Sequence, residues 1–159
     1  MKYLLAFEEI LVKIEKSAIV IFVFLMALLS FLQIGLRLFF HSGIVWLDTF
    51  LRYVVLWAGM LGASLSSRYS KHFAVDVFAR MLPPRWSSAA AVFTGLFAVF
   101  VSILLFFASN RFLKQEFLYN STAFYVNNTA VKSGWLELIL PVSFLLIGFH
   151  LFVGIFRQK

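Results

Sequence analysis

Cysteine is absent from this 159-residue chain. Its absence excludes disulfides and thiolate metal sites and leaves the compartment open. Charge is also scarce, at 13% of residues, where soluble domains carry about 25%. Three histidines lie at three different depths of the chain, too few and too scattered for a metal centre. There is no phosphate-binding P-loop, no GxGxxG, no HExxH and no Ser-His-Asp set on one side of a membrane. The chain therefore reads as a non-enzyme with no cofactor.

What remains is hydrophobic. Hydrophobic residues make up 62% of the chain and the mean hydropathy is +0.94, which argues against a soluble globular fold. A helix crosses a bilayer in about 20 apolar residues. Four segments qualify, at 18–40, 46–67, 87–110 and 135–156, and they leave no room for a soluble domain. The expected fold is an all-α membrane protein, one compact domain over 1–159, with four transmembrane helices plus short amphipathic interfacial helices. The first apolar run is too long for a signal-peptide core and lacks a small-x-small exit, so it reads as a permanent span.

The net charge of +7 does not point to nucleic acid, because the bases sit at segment ends rather than on one polar face. Lys2, Lys13, Lys16, Arg68, Lys71, Arg80, Arg85, Arg157 and Lys159 are nine on one side. Arg37, Arg52, Arg111, Lys114 and Lys132 are five on the other. The excess of Lys and Arg on cytoplasmic loops then puts both termini in the cytoplasm.

Segment 1–16 places Leu4, Phe7, Leu11 and Ile14 at helical spacing, with Glu8, Glu9, Glu15 and the lysines largely elsewhere. It reads as an interfacial helix on the cytoplasmic leaflet, the alternative being a helical extension of the first span. In the first span Gln33 and Arg37 share a face. The short link 41–45 forces an antiparallel hairpin with the second span and brings Arg37, Asp48 and Arg52 to comparable depth. Charges at membrane depth are costly unless paired or hydrated. One acid between two bases suggests a shared ion pair, serving as a hairpin lock or subunit contact, or else in conduction.

Ala58 with Gly62, and Gly59 with Ala63, form small-residue faces on the second span that admit a close helix. His72, Asp76 and Arg80 stripe an amphipathic segment over 71–82 at the cytoplasmic interface, ended by Pro83 and Pro84. Residues 111–134 read as the one substantial outer loop and contain two weak glycosylation sequons, at Asn120 and Asn127. Trp46 suits an interfacial belt, whereas Trp57 lies mid-span and packs against protein or lipid. Pro141, one turn past Glu137, predicts a mild kink in the fourth span.

Two function classes remain on the residues alone. A free-standing oligomeric small transporter or channel needs an ionisable group near the bilayer midplane, and Asp48 and Glu137 both lie near the outer edge. A haem-carrying anchor needs two facing imidazoles; only His72 and His150 come near in depth, and His72 falls outside the core.

Trp46-Leu47-Asp48, Arg52-Tyr53, Trp57, Gly62-Ala63, Arg68, His72, Val75-Asp76 and Leu82-Pro83, followed by Trp135 and Pro141, form an ordered set. In these residues, in length and in span order, the chain resembles the DctQ-like small membrane subunit of tripartite ATP-independent periplasmic (TRAP) transporters. Thr49 stands where many members carry a second acid. The resemblance implies a bacterial inner-membrane scaffold subunit that does no chemistry and is a separate polypeptide. Its implied partners are the lipid bilayer, a large multi-span subunit that carries substrate and sodium, and a periplasmic protein that captures an organic acid. On that reading Arg111, Lys114 and Lys132 are the candidate docking bases for the periplasmic protein.

Overall fold

The computed structural model describes residues 2–69 and 84–157. The stripe of His72, Asp76 and Arg80 lies outside the described residues. In order, the elements are α1 (Lys2–Phe40), α2 (Val45–Tyr69), α3 (Pro84–Tyr119), β1 (Thr122–Val126), β2 (Thr129–Lys132), α4 (Ser133–Leu136) and α5 (Ile139–Arg157). Among the described residues, four helical segments are long and apolar enough to cross a membrane.

The separate interfacial helix expected over 1–16 is instead the first part of α1, which runs unbroken through the first span. The reason is one continuous packing face. Glu8, Val12, Glu15 and Gln33 are buried, with Ile19, Phe22 and Met26 half-buried between them at steps of three and four. No proline interrupts it. At 1.5 Å per residue α1 is about 58 Å long, roughly twice the hydrocarbon thickness. Of the apolar stripe Leu4, Phe7, Leu11 and Ile14, Leu11 is half-buried and the other three are exposed.

The helices form an open row rather than a closed bundle. α1 packs on α2, α2 on α5 and α5 on α3, while α1 touches α5 only sparingly. α2 and α5 are the inner members and α1 and α3 the flanks. A row buries little: Val12, Leu47, Val54, Leu61, Leu113, Ile139 and Val153 are the buried aliphatics among the described residues. Phe24, Phe31, Phe39, Phe93, Phe97 and Phe107 stand exposed along the two flanks. In lipid this costs nothing, because acyl chains are as apolar as the side chains; helices associate there through close packing and hydrogen bonds. The α3–α5 seam shows such packing. A Cβ on Gly95 would come within 3.1 Å of Ile155, and one on Gly148 within 3.4 Å of Ser102.

The segment read as an outer loop over 111–134 is largely ordered structure. α3 continues to Tyr119 and ends on Asn120 at φ 56°, with the Ser121 N–H reaching back to the Glu116 carbonyl. This is the left-handed helix stop for which Asn substitutes for Gly. β1 and β2 then form an antiparallel hairpin turning on Asn127 and Asn128, at φ 44° and 67°. Positive φ at both central residues is the two-residue turn that matches strand twist. The asparagines of both sequons thus hold left-handed turn positions. Phe124 of the hairpin stacks on Trp46 at 6.0 Å and meets Phe50 edge-on at 6.3 Å, which seats the hairpin on the start of α2.

Candidate functional site

At the hairpin end, α1 is tied to α2 through Gln33. Its amide donates to the Ile44 carbonyl at 3.0 Å and to Asp48 at 3.3 Å, and accepts from the Ile44 N–H at 3.3 Å. One buried side chain thereby satisfies both backbone groups at the entry to α2. A Cβ on Gly43 would lie 3.0 Å from the Arg37 Nε and 3.2 Å from the Gln33 amide nitrogen, so those side chains would have to give by a few tenths of an ångström. His41, at φ 53°, reverses the chain after α1. Arg37 pairs with Asp48, and Asp48 sits in the first turn of α2, where the helix dipole favours an anion. Arg52 does not complete the expected trio. It is exposed and makes no ion pair with Asp48 among the described residues, so the acid is held by one base and one amide.

The fourth span is interrupted rather than mildly kinked. Pro141 has no N–H for the Glu137 carbonyl, and the Leu140 N–H takes that carbonyl instead at 3.0 Å. The Leu136 carbonyl, which Leu140 would have served, accepts the Trp57 indole N–H at 2.7 Å. A mid-span tryptophan thus fills the gap between α4 and α5. Beside it Tyr53 lies in hydrogen-bonding reach of Glu137, one of whose carboxylate oxygens is buried without a hydrogen-bond partner. Ser133 donates to Glu116 at 2.6 Å and joins α4 to α3.

The most enclosed polar cluster lies at the opposite end, and the spacing arguments missed it. Glu8 and Glu15 of α1 face His150 of α5, all three at most 3% exposed. His150 Nδ1 lies 3.4 Å from Glu8, and Nε2 lies 3.3 and 3.4 Å from the two oxygens of Glu15. Ser64 of α2 donates to Glu15 at 2.8 Å, and Arg68 approaches Glu8 at 3.6 Å. The sequence signal was available: Glu8 and Glu15 are seven apart, two turns along one helix face. Reading residues 1–16 as interfacial sent them to water. With carboxylates at both ring nitrogens, His150 is not placed as a haem ligand, and its proposed partner His72 lies outside the described residues. No group of three His, Asp or Glu among the described residues is arranged to hold a metal ion.

Among the described residues, no other element packs closely on the α2 glycines. A Cβ on Gly59 or on Gly62 would meet nothing within 4 Å. Gly59 and Ala63 fall on an exposed stripe, Arg52, Val55, Gly59, Ala63 and Ser66, while Ala58 and Gly62 beside it are half-covered. Arg111 and Lys114 are exposed on the last turns of α3, and Lys132 at the end of β2 is half-covered.

A family model for the DctQ component of tripartite ATP-independent periplasmic transporters matches residues 26–158. The chain belongs to that family. It is a family of transporter subunits and not of enzymes, and with four span-length helices this DctQ-family chain is a multi-pass membrane protein. It is 40% identical over 60 residues to a TRAP transporter small permease protein of Haemophilus influenzae; that stretch is 38% of this chain and 37% of the relative. It is 28% identical over 120 residues to the sialic acid TRAP transporter permease SiaT of another strain of the species. That match covers 74% of this chain but 18% of SiaT. The aligned stretches thus span well under two-thirds of either curated relative.

Proposed function

We propose that this chain is the small, non-catalytic scaffold subunit of a TRAP-type secondary transporter. It works with a large membrane subunit that moves the substrate and with a periplasmic binding protein. The observation that carries the reading is the open row. Among the described residues the row of four helices encloses no channel of its own, and it presents long apolar faces that would widen a scaffold in the bilayer. The fit of a chain of this kind to a minor part of a much longer permease supports a large membrane partner. The exposed α2 stripe suits the contact, because small residues let a partner helix approach closely and Arg52 offers it a cation. Organic-acid uptake coupled to sodium is the expected chemistry of the whole assembly, and SiaT is named for sialic acid, an organic acid. The nine-to-five split of basic residues supports an inner-membrane orientation with both termini cytoplasmic and the β1–β2 hairpin periplasmic. Arg111, Lys114 and Lys132 then sit on the side where the binding protein docks.

Reconstitution tests the reading. Proteoliposomes containing this chain alone take up no organic acid under a sodium gradient, and those containing it with the large subunit and binding protein do. Uptake by the chain alone would refute the scaffold role. In spheroplasts, an impermeant thiol reagent labels Thr122→Cys and spares Lys13→Cys; the reverse pattern inverts the orientation.

A further inference from the structure

The proton count of the Glu8–His150–Glu15 cluster has a consequence. A neutral imidazole carries one N–H, and its other nitrogen is an acceptor. Here both ring nitrogens lie 3.3–3.4 Å from carboxylate oxygens, at the two ends of the ring. With a neutral ring, one of these contacts sets a lone pair against a carboxylate oxygen with no proton between them. With both nitrogens protonated, each contact is a charge-assisted hydrogen bond.

The enclosure of the cluster points the same way. Among the described residues, Glu8 and Glu15 of α1 face the ring, Arg68 of α2 approaches Glu8, and the Ser64 hydroxyl donates to Glu15. Lys16 lies at the rim, its ammonium 5.4 Å from the Tyr69 ring centre. The site encloses these groups: His150, Glu8 and Glu15 are each at most 3% exposed, so a bare lone-pair contact with a carboxylate oxygen is costly there. An imidazolium gives both carboxylates a proton donor from the ring.

We infer that His150 carries both ring protons and is the cation of a buried latch that fastens the first part of α1 across α2 to α5. The latch joins two helices that are not neighbours in the row, and the Phe7–Phe149 edge contact at 5.9 Å lies beside it. It is a proton-binding site at the other end of α1 from the hairpin-end cluster. It does not depend on the transport reading, so its test stands whichever way the uptake assay falls.

The test is the nitrogen-15 spectrum of the imidazoles, recorded on the full chain in lipid nanodiscs at neutral pH. The chain has three histidines; a His41→Gln, His72→Gln double variant leaves the His150 signals alone in the spectrum, and the same two-proton pattern is read in the unsubstituted chain. Both ring nitrogens of His150 resonate as protonated. One unprotonated nitrogen overturns the inference, and that outcome includes a proton held by a carboxyl instead. A second arm reads the coupling. His150→Gln strands a carboxylate and lowers the melting temperature by roughly 5–10 °C. Adding Glu15→Gln restores at least half of that drop, or restores folded yield should the single variant fail to fold. Additive losses, or no recovery of yield, overturn the latch.

Discussion

The two polar clusters that hold α1 sit at opposite ends of the same helix and are built on opposite terms. At the hairpin end, Arg37 and Asp48 keep 58% and 45% of their side chains exposed, and only Gln33 is buried. At the terminal end, Glu8, Glu15 and His150 are enclosed, with Ser64 on Glu15 and Arg68 near Glu8. The first cluster joins residues eleven to fifteen apart along the chain. The second joins residues 135 and 142 apart. An exposed pair is worth about 0–1 kcal/mol, whereas breaking an enclosed one from one side costs about 3–5 kcal/mol. Charge in this chain therefore fastens tightly where it is least visible in the sequence.

Three measurements bear on that contrast. The largest effect is expected from Glu15→Ala, which leaves His150 and Ser64 facing an empty position and costs about 3–5 kcal/mol of stability. Thermal unfolding in nanodiscs reads it, and a loss below about 1 kcal/mol would place the cluster with exposed pairs. Trp57→Phe comes next. It keeps most of the ring but orphans the Leu136 carbonyl, for an expected cost of about 1–3 kcal/mol. The same melt checks it, and an unchanged midpoint would mean that water or a rearranged α4–α5 junction serves that carbonyl.

The smallest effect belongs to the hairpin end. Arg37→Ala is expected to cost about 0–1 kcal/mol, with Asp48→Ala somewhat more because Gln33 also loses a partner. In a double-mutant cycle Arg37 and Asp48 couple and Arg52 and Asp48 add independently. Coupling between Arg52 and Asp48 of the same size would restore the sharing of Asp48 by two bases that the spacing suggested.

The fold was legible wherever a local rule decided it. The short link after Phe40 had to return the chain, so Gln33 and Arg37 had to meet the start of α2. Pro141 had to disturb the fourth span, although the structure turns a mild kink into a break because Trp57 satisfies the freed Leu136 carbonyl. The β-hairpin went unread because Asn127-Asn128 is a weaker turn signal than Asn-Gly. The polar cluster at the terminal end went unread for a different reason. Glu8 and Glu15 on an amphipathic segment look solvated unless the partner is known, and His150 lies at the far end of the chain.

The sequence by itself determined the membrane, the four crossings, the first hairpin and the family, because each rests on composition or on neighbours a few residues apart. Whether the helices close into a bundle or open into a row was decided only by tertiary packing. Lipid accepts an apolar face as readily as a neighbouring helix does, so hydropathy carries no instruction about which faces meet. Tertiary structure also decided which end of α1 is held by enclosed charge. That choice depended on α5 bringing His150 between two carboxylates on a face that the local pattern assigned to water.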